Sequence, residues 1–449
     1  MANLLLQDPF TVLKEYPDRL TQTLETPLQT CCLRFSHGGD YLAMGASNGA
    51  VVIYDMETIK PIAMLGNRGG GHVRSIESIA WSQDDRYILT GSRDWHVKLW
   101  DLQNPGMPHR SVKFNAPIWT CQWRGEGNLG CFGTVYEEPH AFVIDFVPAT
   151  PIVEKIIDPT EVLEQGEHDR SQEEDSTEFQ HQDYGYSLVA CVHPIHKELL
   201  IVGTSKGWLK IYRIAGRKTN LVHTYRFAYT NAKHLIISQS GDRMAINSSD
   251  RTIRQYFLEI NSDLTEFNFT LEHRYQDVIN RLQWNSICFS SNSAEYIVAS
   301  AHGSSARDLY LWETSTGSLV RVLEGAEEEL MDIDWDFNHM YITSNGLETC
   351  NVYIWSLVIP PKWSALAPDF EEVEESIEYR EKEDEFDQAG MLEQQQELDQ
   401  AEEVKIDLRT CEKFDVRGNE INYNRFVIPT DYESILMLKY WDKERLAGH

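Results

Sequence analysis

The sequence predicts an all-β protein in which a seven-bladed β-propeller is followed by a largely extended, acidic C-terminal tail. Three observations support this fold class. One segment has the full pattern of a four-stranded blade, the end of that pattern recurs along the chain, and a strongly acidic stretch follows the last recurrence. We therefore expect the propeller over residues 1–361 and the tail over residues 362–449.

The most complete blade pattern lies between residues 71 and 101. It begins with Gly-His, ends with Trp-Asp and contains three short apolar runs, which is typical of a WD40 repeat, a four-stranded antiparallel sheet. Four side chains of this repeat could join in one buried chain of hydrogen bonds, namely those of His72, Thr90, Asp94 and Trp100. Each such bond would contribute about 0.5–1.5 kcal/mol to stability.

The end of this pattern recurs at intervals that count the blades. The penultimate position of the pattern is occupied in turn by Tyr54, Trp100, Ile144, Tyr212, Tyr256, Trp312 and Trp355. The steps between these positions are 46, 44, 68, 44, 56 and 43 residues, and a WD40 period is about 40–45 residues. The two long steps therefore predict insertions, the first of them containing the acidic stretch 158–183.

Seven consecutive blades can close into a ring, which leaves no long exposed sheet edge. Part of residues 1–27 is expected to supply the outer strand of blade seven. The other elements are expected near 29–55 for blade one, up to 101 for blade two, at 118–123 and 141–145 for blade three, in the next two repeats for blades four and five, at 280–313 and 319–323 for blade six, and up to 355 for blade seven. Pro360-Pro361 then stops the sheet. Blade three lacks the polar chain of blade two and is expected to depend on packing.

Charge is distributed unevenly in this chain, whose net charge is −30. The stretch 158–183 contains ten acidic residues and one basic residue, Arg170, which is typical of a solvated loop. Between residues 206 and 254, ten basic residues are opposed by Asp242 and Asp250 alone. This span is either a solvated blade surface or a contact for nucleic-acid phosphate. No interleaved aromatic pattern suggests base stacking, so any contact would be to the backbone and not sequence-specific.

The tail combines acidity with regularly placed apolar residues. Residues 369–403 contain sixteen acidic and two basic residues, too polar a stretch to fold on its own. Apolar side chains precede it at Trp363, Leu366 and Pro368 and interrupt it at Phe370, Ile377, Tyr379 and Phe386. Such anchors suit a peptide that folds onto partner proteins. Further on, residues 404–408 resemble a strand-like peptide, and Thr430–Glu433 resembles a capping box before a short helix at 435–446. Helix and strand both stay open there, as does whether residues 411–449 return to the propeller or reach a partner.

Other function classes find little support. No apolar run approaches the roughly 18–20 residues of a membrane helix, and the first residues do not form a secretory signal. The eight cysteines are scattered without a CxxC pair, so we expect reduced thiols in an intracellular protein and neither a metal site nor a cofactor. Two Gly-x-Ser-x-Gly motifs, at 45–49 and 203–207, recur with the blade period and predict turns, not nucleophiles. His193 and His196 flank Pro194, which argues against a helical metal site. We expect a protein that is not an enzyme.

Two tail segments carry a family resemblance. Residues 363–370 (WSALAPDF) and 377–387 (IEYREKEDEFD) closely resemble the tail of the retinoblastoma-binding protein 5 family, the WD-repeat scaffolds of COMPASS and MLL-type histone H3 lysine-4 methyltransferases. Residues 250–254 and 295–298 in the blades resemble it more loosely. The chain is similar to the fungal COMPASS member of this family.

The resemblance implies three binding segments in the tail. The first would dock on the catalytic SET domain and hold it active, with residues Trp363, Ser364, Leu366, Pro368 and Phe370. The second would bind a SPRY-domain subunit through Glu378, Tyr379, Glu381, Glu383, Glu385 and Phe386. The third would insert in a second WD40 subunit through Glu403, Val404, Ile406, Asp407 and Leu408, and here Lys405 and Ile406 depart from the family's pattern.

The same resemblance implies a nuclear, non-catalytic scaffold. For such a scaffold, the basic span 206–254 predicts a contact of the propeller with the nucleosome. The residues that could contact nucleosomal DNA are Lys206, Lys210, Arg213, Arg217, Lys218, Arg251 and Arg254. The alternative is a generic WD40 adaptor of another multiprotein complex, for which this tail peptide would have no evident use. A propeller enzyme would need converging catalytic residues in the central channel, which the two Gly-x-Ser-x-Gly motifs do not supply.

Overall fold

The computed structural model describes the propeller and a C-terminal segment. The described residues are 16–125, 129–148, 150–157, 183–215, 218–261, 264, 266–277, 281–290, 294–303, 307–336, 338–357 and 426–447. Among these residues, 28 strands form seven four-stranded antiparallel sheets, so the predicted seven-bladed propeller is confirmed.

The first strand of the chain belongs to the last blade. The strands up to blade three are β1 (Arg19–Glu25); β2 (Thr30–Phe35), β3 (Tyr41–Ala46), β4 (Val51–Asp55) and β5 (Lys60–Leu65) of blade one; β6 (Ile76–Trp81), β7 (Tyr87–Ser92), β8 (His96–Asp101) and β9 (Arg110–Lys113) of blade two; and β10 (Ile118–Trp123), β11 (Gly130–Val135), β12 (Phe142–Asp145) and β13 (Ile152–Lys155) of blade three.

The second half of the ring repeats this order. Its strands are β14 (Ser187–Val192), β15 (Leu199–Thr204), β16 (Trp208–Ala215) and β17 (Lys218–Arg226) of blade four; β18 (Ala232–Ile237), β19 (Arg243–Ser248), β20 (Ile253–Ile260) and β21 (Phe267–Tyr275) of blade five; β22 (Gln283–Phe289), β23 (Tyr296–His302), β24 (Leu309–Glu313) and β25 (Leu319–Leu323) of blade six; and β26 (Leu330–Asp336), β27 (Tyr341–Gly346) and β28 (Asn351–Ser356) of blade seven.

Ring closure joins the two ends of the propeller. Strand β1 pairs antiparallel with β28, with Leu24 opposite Val352, and thus completes blade seven as its outer strand. The predicted role of the N-terminal residues is therefore confirmed. The side-chain amide of Asn345 on β27 also donates to the carbonyl oxygen of Thr30 on β2 at 2.7 Å, which joins blade seven to blade one.

The apolar core is divided among the interfaces between blades. Seven buried clusters are found in the described residues, and each joins two neighbouring blades. All seven penultimate positions lie on the third strand of a blade, and Trp100, Ile144 and Trp355 among them are at most 1% exposed. Since no blade buries its faces alone, the stability of each depends on its neighbours.

Blade two contains the predicted polar chain. The indole nitrogen of Trp100 donates to the Thr90 hydroxyl oxygen at 2.9 Å. The same hydroxyl lies 2.7 Å from Nε2 of His72, and Nδ1 of His72 lies 2.8 Å from the carboxylate of Asp94. Because a carboxylate only accepts, Nδ1 carries the proton and Nε2 accepts from Thr90. Burial lowers the pKa of His72 despite the neighbouring Asp94, which keeps the imidazole neutral.

Blade three lacks this chain for a simple reason. Its register places Gly133 where blade two has Thr90, and Ile144 where blade two has Trp100. Ile144 and the neighbouring Phe132 are fully buried. Because neither Gly133 nor Ile144 has a polar side chain, these residues agree with the expected dependence of blade three on packing.

The two long steps have different positions in the fold. The first falls between β13 and β14, where residues 158–182 lie outside the described part. The second is spread over the connections 261–266, 276–282 and 303–308, which flank β21 and precede β24. Most of the added residues therefore lie between strands.

One helix is described, α1 (Tyr432–Ala447). It begins after Asp431, whose carboxylate accepts from the Ser434 hydroxyl at 2.7 Å and from the backbone amide of Glu433 at 3.3 Å. The N-cap is therefore Asp431 and not Thr430, and the helix starts three residues before the predicted 435, because the carboxylate reaches the free amides of the first turn. No helix in the described ranges combines the length and apolarity needed to cross a membrane.

Candidate partner-binding surfaces

The three predicted tail segments lie outside the described residues, which resume at Phe426. This applies to the SET-domain set (Trp363, Ser364, Leu366, Pro368, Phe370), the SPRY set (Glu378, Tyr379, Glu381, Glu383, Glu385, Phe386) and the second-WD40 set (Glu403, Val404, Ile406, Asp407, Leu408). Their roles stay predictions from the sequence.

The predicted basic residues do not form one patch. Lys206 lies in the turn that links β15 to β16, and Arg251 lies in the equivalent turn of blade five. We call this end of the blades the upper rim. Arg213 and Lys218 lie at the opposite end of β16, where Ala215 pairs with Lys218. Strand β16 has eight residues and spans roughly 25 Å at about 3.3 Å per residue. The predicted set is therefore divided between the two ends of the blades, and its contact with DNA stays a prediction. Arg217 lies outside the described part.

Two members of the basic set form contacts with other residues of the propeller. Lys210 is 3% exposed, and its ammonium lies 4.3 Å from the centre of the Tyr184 ring. Arg254 forms an ion pair with Asp250 and donates to the hydroxyl of Ser248 at 2.7 Å. The burial of Lys210 and the ion pair of Arg254 do not favour a contact with DNA, and that contact stays a prediction for both residues.

The sequence contained a signal for this burial. Lys210 and Arg254 each stand two residues before the penultimate aromatic residue of their blade, and alternation along a strand places such residues on the same face as that ring. Lys98 has the same place in blade two and is 7% exposed, with its ammonium donating to the carbonyl oxygens of Gly70 and Gly71 at 2.8 Å.

An aromatic and cationic cluster lies at the upper rim of blade four. The guanidinium of Arg226 lies 3.8 Å from the centre of the Tyr229 ring and 5.2 Å from that of Trp208. Trp208 in turn meets the Tyr184 ring edge-on at 5.4 Å. Tyr229 is 81% exposed. The rings therefore hold one guanidinium in a fixed direction at the surface, in a form suited to bidentate recognition of phosphate or carboxylate.

Sequence reasoning missed this cluster because its members are far apart along the chain. The expectation of no aromatic pattern rested on the basic span alone, whereas the rings come from the loop before β14, from β16 and from the loop after β17. Only the fold brings them together.

The central channel encloses about 840 Å³ and is lined by the first strands of the blades. Its charged groups hold neighbouring blades together. Asp332 of blade seven accepts from Arg34 of blade one at 2.7 Å and from the hydroxyl of Ser286 in blade six at 3.0 Å. Asp334 accepts from the amide of Phe35 at 2.6 Å, and burial raises the pKa of its carboxyl to about 6. These contacts give the channel charges a structural role in ring closure.

The enzyme-like motifs are turns, as predicted. Ser47 and Ser205 lie in the turns between the second and third strands of blades one and four. The second glycine of the first motif, Gly49, has a φ of +90°, and a Cβ there would overlap the carbonyl oxygen of His72. The motif therefore reflects a turn conformation that favours glycine.

His193 is a satisfied core histidine. It is 1% exposed, its Nε2 lies 3.0 Å from the carbonyl oxygen of Gly241, and its Nδ1 accepts from the amide of His196 at 3.0 Å. None of the seven described cysteines forms a disulfide, and burial raises the pKa of thiols such as Cys121, to about 11. Both findings agree with a structural role.

One repeat of this chain matches a known family of repeats. The family model described as WD domain, G-beta repeat matches residues 63–101, the part of the chain that contains the polar chain of blade two. The chain is also 30% identical to a solved structure described as the Cps50 (Swd1) β-propeller domain of Myceliophteria thermophila, with a TM-score of 0.65. That match covers 76% of this chain and all of the other.

Relatives match far beyond one repeat. The chain is 56% identical to COMPASS component SWD1 of Saccharomyces cerevisiae over 438 residues, which covers 97% of this chain and 99% of that protein. It is 36% identical to Set1 complex component swd1 of Schizosaccharomyces pombe, over 86% and 90% of the two chains. It is 29% identical to the retinoblastoma-binding protein 5 homolog of Drosophila melanogaster, over 89% and 76%.

Proposed function

The chain belongs to the family of COMPASS component SWD1 and retinoblastoma-binding protein 5, and from this premise we propose that it is a scaffold subunit of a COMPASS-type histone H3 lysine-4 methyltransferase complex. The observation that carries the proposal is the extent of the 56% identity. It spans 97% of the chain and so includes most of the tail as well as the blades. A generic WD40 adaptor would share the blade pattern without sharing the tail.

The tail supplies the proposed contacts with partner proteins. Trp363–Phe370 docks on the SET domain, Glu378–Phe386 binds a basic groove of the SPRY subunit, and Glu403–Leu408 inserts in the second WD40 subunit. Methyl transfer takes place in the SET domain, at its own S-adenosylmethionine site. By bridging the SET domain to the SPRY subunit, the tail raises the fraction of time in which the catalytic subunit is in its active conformation.

The propeller contributes a contact with the nucleosome in the nucleus. The upper rim supports this proposal, since Arg251 is exposed there, as is Lys206 in its surface ion pair with Asp183. Arg226 contacts the rings of Trp208 and Tyr229 on the same rim. The rest of the basic set is buried, lies at the opposite end of the blades or is outside the described residues. The contact is to DNA phosphate, and its strength therefore depends on salt.

The test of the tail uses Trp363→Ala in the reconstituted complex. A buried Trp anchor can contribute about 2 kcal/mol or more to an interface, so this variant should need roughly 30-fold more scaffold to reach half of the wild-type methylation rate. The assay is a titration of scaffold against the catalytic and SPRY subunits with histone H3 as substrate. Trp95→Ala is the matched control, because Trp95 is 41% exposed on the propeller. Equal titration curves for wild type and Trp363→Ala would refute the proposed contact.

A further inference from the structure

The described C-terminal segment lies across the outer edge of blade one. We call residues 426–438 the clasp. Ile428 is 4% exposed and belongs to the apolar cluster between blades one and two. Leu438 is also 4% exposed and belongs to the cluster between blades seven and one. One short segment therefore packs into both interfaces of the same blade.

Polar contacts fix the clasp on the outer strand of blade one and the turn that follows it. The Ser434 hydroxyl is fully buried, accepts from the backbone amide of Met64 at 3.0 Å and donates to Asp431 at 2.7 Å. The side-chain amide of Asn67 donates to both Asp431 and Ser434, at 2.6 and 3.0 Å. The amide of Asp431 donates to the carbonyl oxygen of Ile62 at 2.8 Å. These bonds occupy groups of β5, whose edge would otherwise be open to solvent.

The chain is also anchored to the propeller just before residue 358, at the end of β28. After β28, Leu357 packs against the apolar cluster between blades six and seven. The 68 residues from 358 to 425 lie outside the described part, between Leu357 at blade seven and Phe426 at blade one. The three predicted binding segments all lie within these 68 residues.

We propose that the clasp closes the partner-binding chain into a loop tethered at both ends, so that partners stay attached to the propeller at the side of blades seven and one. The identity of the partners rests on the proposed function, whereas the tether itself does not. At about 3.4 Å per extended residue, a loop of this length keeps every point within roughly 115 Å of the nearer anchor. Two tethers hold a bound partner at a higher effective concentration than one.

The experiment cuts the full chain at the blade-seven end of the loop. A site for a sequence-specific protease replaces residues 359–361, and the cleaved protein is separated by size exclusion, first alone and then with SET and SPRY subunits bound. Because the clasp holds the C-terminal fragment on blade one, this fragment, with any bound partner, should still elute with the propeller. The same cut in Leu438→Asp should release the fragment and its partners.

Leu436→Asp is the matched control, because Leu436 lies on the same helix and is 67% exposed. This variant should retain the fragment as the unmodified clasp does. Ser434→Ala should weaken retention without adding a charge. Release of the fragment from the unmodified clasp, or equal retention by Leu438→Asp, would overturn the proposal. The elution of the cleaved chain alone involves no partner and no methylation, so a failure of the tether is distinguishable from a failure of the proposed function.

Discussion

At the scale of single residues, blade two shows how a repeat pattern encodes hydrogen bonds. The spacing of His72, Thr90, Asp94 and Trp100 has no explanation from apolar burial, yet the fold brings them into contact in one chain. Burial would raise the pKa of Asp94, but hydrogen bonds from His72 and the amides of Val73 and His96 hold it well below its usual range. The chain therefore stays fully bonded at neutral pH.

The Thr90 hydroxyl contributes to two contacts of the polar chain, with His72 and with Trp100. Thr90→Val should lower the free energy of unfolding by about 1–3 kcal/mol, because it leaves the indole N–H of Trp100 buried without an acceptor. The measurement is equilibrium unfolding in urea. Thr343→Val is the matched control, since the Thr343 hydroxyl is buried in blade seven and has no hydrogen-bond partner in the described part of the chain. If both variants lose the same stability, the polar chain has no special role.

Individual residues also mark where sequence reasoning failed. The polar chain was predictable because its members lie within one repeat, whose local geometry fixes their contacts. The burial of Lys210 and Arg254 was open to prediction from strand alternation, but their charge favoured a surface role. The stacking of Arg226 on Tyr229 was not predictable, because loops of unknown conformation place both side chains.

At the scale of elements, a strand places residues that are close in sequence at opposite ends of a blade. The span 206–254 is basic throughout, yet β16 divides it between two ends of the propeller. What matters for binding is therefore the set of turns on one rim, drawn from several blades.

If the upper rim binds DNA phosphate, the affinity for the nucleosome should depend on salt concentration through the exposed cations of this rim. Charge reversal of Lys206 and Arg251 to Glu should weaken nucleosome binding and reduce the slope of log affinity against log salt concentration by about 0.9 for each DNA phosphate that the variant no longer neutralises. Arg213→Glu is the control from the opposite end of β16, where Arg213 lies 3.4 Å from Glu198. The measurement is a binding isotherm at several salt concentrations. Identical slopes for the double variant and wild type would rule out the contact.

Elements differ in how far the sequence determines them. The blades were predictable, because strand alternation and the repeat period are local properties. Strand β1 was predictable only from the rule that propellers close with a terminal strand. The position of helix α1 on blade one was not, since it depends on Ser434 and Leu438 fitting groups that lie some 370 residues away in sequence.

At the scale of the whole molecule, the described blades form a closed ring, and the predicted partner segments lie outside the described residues. The ring is stabilised between blades, with the inner contacts of Asp332 and the outer strand β1 closing it. Within the described part of the chain, the charged channel groups contribute to this closure. Function is therefore expected at the surfaces and in the segments between residues 358 and 425.

The central claim is that these segments activate the catalytic subunit. The most direct measurement replaces residues 362–387 with a glycine-serine linker of equal length, which preserves the propeller and both anchors, and compares methylation of histone H3 by the reconstituted complex with the full chain, the replaced chain and no chain. The account predicts that the replaced chain supports no more activity than its absence. Full activity with the replaced chain would contradict the account and place the function in the propeller.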